Sequence, residues 1–141
     1  MVKKAFAVIF FISISSSFAQ LIETDSAKVS DAVSCADSWL KLVDKMDYAE
    51  SWDETATFFK SKISQDKWIL TLSNLKPQFG KTNSRKLILS NFTTSLPGAP
   101  DGEYVVIQYK TNFELKNNAV ETIVPMKDKD GRWRISGYYI K

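Results

Sequence analysis

Histidine is absent from the 141 residues, and there is one cysteine, Cys35. Without imidazole there is no Ser-His-Asp or Cys-His nucleophile, no histidine-based zinc site and no histidine pH switch. A lone thiol allows no internal disulfide, so packing must hold the fold together. Cys35 itself is expected to be a small buried apolar residue. Glycine is scarce, with five residues at positions 80, 98, 102, 131 and 137, and none of them forms a phosphate-cradling fingerprint. No apolar run approaches the roughly 20 residues needed to span a bilayer.

The longest such run, Ala5–Ile12, follows Lys3 and Lys4 and precedes the small residues Ser17-Phe18-Ala19. This is the pattern of an export leader, with cleavage expected after Ala19. The expectation is a leader at residues 1–19, one α+β domain at residues 20–141, and residence in the periplasm or, failing that, outside the cell. No stable membrane anchor is expected after cleavage. The remaining 122 residues carry 17 basic and 16 acidic side chains, which argues against a nucleic-acid partner. Residues 20–76 lean acidic, ten against seven, and residues 77–141 lean basic, ten against six. Such a contrast fits ordinary solvated faces.

Between Ser26 and Lys45 the apolar positions Val29, Ala32, Val33, Ala36, Leu40 and Val43 recur at helical spacing, and Trp39 and Leu42 widen the stripe. Asp25 or Ser26 is the expected cap. A second helix is expected from Asp47, with Asp47 and Glu50 as a capping box and Tyr48, Trp52, Ala56 and Phe59 on one face. A third starts near Ser64, buries Trp68, Leu72 and Leu75, and ends at Pro77.

After Gly80 the period becomes two. Strands are expected at Arg85–Thr94, Glu103–Glu114, Ala119–Lys127 and Arg132–Ile140, joined by turn-rich segments, including the Asp128–Gly131 hairpin. Short turns imply an antiparallel meander. The expected fold is α+β, three helices followed by four strands, with the helices over one face of the sheet. Alternation places Val105, Ile107, Tyr109, Thr111 and Phe113 inward, with Val120, Thr122, Val124 and Met126, then Trp133, Ile135 and Tyr139.

The runs Leu96–Val106, Tyr48–Trp52 and Asp130–Ile140 resemble a bacterial exported family, domain of unknown function 4019, over roughly Ala32 to the C-terminus. The Asp-Gly-x-Trp ending and the helices-then-sheet order are similar to the nuclear transport factor 2-like superfamily. That resemblance implies a curved sheet around a long helix with a cavity at its open end. Members isomerise or dehydrate small molecules, or only bind ligands or proteins, so the resemblance assigns no activity.

Metal chemistry finds little support. Asp44, Asp47, Glu50, Asp53 and Glu54 fit an exposed helical face, and Asp128-Lys129-Asp130-Gly131 lacks the later ligands of a calcium loop. No metal or cofactor is expected. The triplet Asn91-Phe92-Thr93 matters only in a eukaryotic secretory route. An isomerase would need an inward carboxylate as base, and the inward positions named above supply none.

The leading expectation is therefore a non-enzymatic binding domain. Tyr48, Trp52, Tyr109, Thr122 and Tyr139 are the candidate lining of a mostly apolar cavity for a small apolar ligand. The alternative is a homodimer or protein-partner interface on the outer sheet face, through Tyr104, Val106, Ile123, Tyr138 and Ile140, with Pro125 in the stripe and Arg132 and Arg134 beside it. A small lyase or isomerase is the third reading.

Overall fold

The computed structural model describes the backbone of Ser15–Lys141 and the side chains from Asp25 onward. The expected leader thus lies largely outside the described residues. The fold is α+β, with four α-helices followed by a four-stranded antiparallel sheet in the order β1-β2-β3-β4. The helices are α1 (Ser15–Asp44), α2 (Tyr48–Asp53), α3 (Thr57–Lys62) and α4 (Gln65–Leu75). A single 3-10 turn, Lys76–Gln78, carries Pro77 and ends the helical half. The strands are β1 (Thr82–Thr93), β2 (Tyr104–Phe113), β3 (Ala119–Lys127) and β4 (Trp133–Ile140).

The first helix begins well before Ser26, because Ser15–Thr24 contains neither glycine nor proline to stop it, so neither Asp25 nor Ser26 caps it. Its buried stripe is Ala32, Ala36, Trp39, Leu40 and Val43. It ends where Met46 adopts φ 62, with Met46 N–H donating to Val43 O and Asp47 N–H to Leu42 O. That pair of bonds is a Schellman closure, made here by a methionine where glycine is usual.

The expected second helix is two short ones. The chain is extended at Thr55–Ala56, where Thr55 bridges Ile135 and Ala56 N–H donates to Ile135 O at 2.8 Å. Helix periodicity alone could not reveal that tertiary pairing to β4. The capping box is also absent: Asp47 makes no side-chain cap bond, whereas Ser64 caps α4 through Lys67 N–H.

On β2 the expected face holds, with Val105, Ile107, Tyr109, Thr111 and Phe113 all buried. On β3 the phase is opposite to expectation. Ile123 lies across from Ile107, Glu121 from Tyr109 and Ala119 from Thr111, so the odd-numbered residues face the helices. Thr122 and Val124 face away. On β4, Val124 pairs with Gly137 and Pro125 with Ile135, leaving Ser136 as an extra residue. The bulge switches parity. Ile135 and Tyr138 both pack into the main core, while Tyr139 stands 60% exposed on the outer face.

The main core joins α1, α4 and the inner sheet face around Trp39, Leu40, Trp68, Ile107, Ile123 and Ile135. A second cluster covers part of the outer face, where Ala56, Tyr104, Val124 and Met126 are buried with Phe58, Leu96 and Ala99 against them.

Candidate functional site

The five residues expected to share a cavity do not meet in one. Tyr48 is buried in the main core. Trp52 donates its Nε1–H to Ile63 O and lies under the Lys60 ammonium, 5.0 Å from the ring centre. Tyr109 donates its hydroxyl to Asp37. Thr122 accepts from Gln108 on the outer face at 3.3 Å, and Tyr139 projects outward from that face. The proposed outer stripe fails for the same reason of parity. Ile123, Tyr138 and Ile140 belong to the inner face, and Tyr104 is covered by the second cluster with its hydroxyl on Pro100 O. Of that set Val106 alone keeps a half-exposed outer position.

Beside the apolar core, the space between helices and sheet holds a charged network. Glu121 is fully buried and carries three donors: Arg85 Nε at 2.7 Å, the Thr111 hydroxyl at 2.7 Å and the Tyr138 hydroxyl at 2.6 Å. Arg85 uses its other nitrogens on Asp44, at 2.9 and 3.1 Å, and Thr82 donates to the same carboxylate. An inward acid therefore exists, contrary to the sequence expectation, which placed its neighbours Val120 and Thr122 inward instead. It is a saturated one. Both oxygens are engaged with protein donors, which is how a buried carboxylate is made tolerable. The nearby Lys76 ammonium is buried over the Phe113 ring, 4.7 Å from its centre. Burial pushes the Lys76 pKa down, while Glu121 and Asp44 oppose the shift.

The tyrosines record the burial on both sides of the sheet, Tyr48, Tyr109 and Tyr138 with the main core and Tyr104 under the outer cluster. Burial raises Tyr48, Tyr104, Tyr109 and Tyr138 above the ordinary phenol value, with Asp37 adding to the shift at Tyr109 and Glu121 at Tyr138. In the unfolded chain these phenols ionise near pH 10. Above that pH the unfolded state binds fewer protons than the folded state, so folding stability falls as pH rises. An absorbance titration of phenolate is expected to show these four ionising late and cooperatively with unfolding. Four independent transitions near pH 10 in a folded chain would contradict the burial described.

The helix–sheet seam opens between α1, α2 and the start of β4, in a cleft of about 370 Å³. Its apolar walls come from Trp39, Leu42 and Trp133, and Cys35 and Ser38 add polar atoms from α1. The Cys35 thiol donates to Trp133 O at 3.3 Å, and burial, with Glu54 beside it, pushes its pKa up to about 11. It is a protonated thiol at neutral pH and a poor nucleophile. Glu50, Glu54 and Arg132 stand at the rim. Arg134 occupies Asp130 through two 2.7 Å bonds and approaches Asp128 at 3.5 Å, and Asp128 also caps Thr57 at 3.0 Å. Those acids are thus engaged, and Arg132 remains at the cleft edge. Among the described residues no group of three or more His, Cys, Asp or Glu is placed to hold a metal ion.

Sequence reasoning missed Arg85 and Glu121 as site-forming residues, and set Arg132 beside the outer stripe where the structure has it at the cleft rim. One signal was available: Glu121 is the only acid within the β-forming run Ala119–Met126. Residues 35–138, from the cleft cysteine on α1 to the phenol that binds Glu121, match the family model described as protein of unknown function DUF4019. The chain belongs to this family. No curated protein and no solved structure matches it. The DUF4019 match spans both the saturated network and every wall of the cleft. No helix among the described residues of this DUF4019 chain is long and apolar enough to cross a membrane.

Proposed function

We propose that the chain is an exported, non-enzymatic binding domain that holds a small, mostly apolar molecule in the cleft between α1, α2 and β4. The cleft carries this reading: two indoles and Leu42 line an open groove of about 370 Å³, within the range of about 300–1,000 Å³ usual for small-ligand pockets, with a few charged groups at the mouth. The leader-like start supports export. The resemblance to nuclear transport factor 2-like domains, some of which only bind ligands, is compatible with a binding role. A lyase or isomerase is disfavoured because Glu121, the one fully buried carboxylate among the described residues, is held by three donors and does not line the cleft.

Anilinonaphthalenesulfonate, an apolar ring system with one anionic group, is a suitable probe. The folded protein is expected to bind it saturably with a rise in fluorescence. Ser38→Trp, an exposed position on the cleft wall, is expected to abolish that binding while leaving the circular dichroism spectrum unchanged. No saturable binding, or equal binding by a folded S38W variant, would refute the assignment.

A further inference from the structure

A four-stranded meander has two edges, and the two are treated differently here. The β4 edge is covered where Thr55 and Ala56 pair with Ile135. Among the described residues no segment pairs with the outer edge of β1, the longest strand at 12 residues. Every residue from Lys86 to Asn91 is exposed, and the middle of the run is aliphatic: Leu87 43%, Ile88 50% and Leu89 43%. The bulge between Leu87 and Leu89 leaves Ile88 without a partner on β2. Proteins normally blunt an open edge with charge, proline or a cover. This run has no proline, and its only charged side chain is Lys86, since the Arg85 guanidinium is turned inward to Glu121 and Asp44.

We propose that β1 is the pairing edge for a second copy of this chain, antiparallel across a two-fold axis. The sequence of the edge is compatible with itself. Pairing centred on Ile88 sets Leu87 against Leu89, Lys86 against Ser90 and Arg85 against Asn91, so apolar meets apolar and no like charges face one another. Main-chain bonds supply the attraction and the aliphatic run supplies the register. This inference does not depend on the cleft, which lies on the opposite side of the sheet order at α1, α2 and β4.

Sedimentation velocity over a concentration series tests it, together with hydrogen exchange at those amides of Lys86–Asn91 that point away from β2. Dimerisation is expected, with exchange protection in that run that grows with concentration. Ile88→Lys, at an exposed position outside the ladder, is expected to weaken association by at least about tenfold with unchanged thermal unfolding of the monomer. Leu89→Lys is expected to act in the same way. Tyr139→Lys, on the exposed outer face, is expected to leave the dimer intact. A protein monomeric at every concentration would overturn the proposal, as would protection of the outward amides that does not depend on concentration. A dimer that survives both edge variants, or dissolves on Tyr139→Lys alone, would also overturn it.

Discussion

Replacing Glu121 with alanine is expected to destabilise the protein by about 3–5 kcal/mol, the usual range for breaking a buried ion pair from one side. The substitution removes the acceptor of Thr111 and Tyr138 and leaves the mostly buried Arg85 with Asp44 alone. Most of the loss comes from desolvated groups left without partners, rather than from the attraction itself. Two further variants separate those contributions. Glu121→Gln keeps an acceptor for the hydroxyls and is expected to cost less than alanine. Arg85→Met combined with Glu121→Leu removes both charges and is expected to recover much of the single-variant loss. Denaturant unfolding measures all three. A change below about 1 kcal/mol for Glu121→Ala would mean that the acid is hydrated, and the saturated network would then be wrong.

Trp39→Ala is expected to cost a similar amount, about 3–5 kcal/mol, because a large buried ring is removed and the surroundings cannot fully collapse. Trp39 is 2% exposed, lies edge-on to Tyr138 at 5.2 Å and tilted to Trp68 at 6.0 Å, and donates to Ser51 O at 2.7 Å. Ser51 is itself a junction, since its hydroxyl donates to Tyr48 O and accepts from Trp68 Nε1–H. Trp39→Phe retains a ring but strands Ser51 O, and is expected to cost about 1–3 kcal/mol. The same indole forms a wall of the cleft, so Trp39→Ala is also expected to abolish probe binding. Denaturant unfolding and probe fluorescence check the two effects separately. If Trp39→Ala were as mild as Trp39→Phe, the ring would not be part of a tightly packed core.

The architecture was legible because its signals are local. The α1 stripe, the helix start near Ser64, the proline after α4 and the turn-rich segments around 96–102 and 128–131 each act within a few residues of themselves. The site was not legible, for reasons that are all long-range. On β3, residues Ile123 to Met126 are buried consecutively because the segment around Leu96 and Ala99, with Phe58, covers the outer face. Burial on both faces erases alternation, and the β-forming residues Val120, Thr122 and Val124 then suggested the wrong phase. On β4, one extra residue displaced the count. The break between α2 and α3 came from a bond to β4, some 80 residues away. Parity errors in two adjacent strands moved Thr122 and Tyr139 into an imagined hollow and took Glu121 and Tyr138 out of it.

The Ser136 bulge therefore decides which of two neighbouring phenols becomes the acid's hydroxyl donor. Were Ser136 paired in strict alternation instead of bulged, β4 would turn Tyr139 toward the acid in place of Tyr138. A one-residue slip in the pairing of an edge strand would thus be felt as a defect in the deepest ionic contact of the molecule, without altering any residue that makes it.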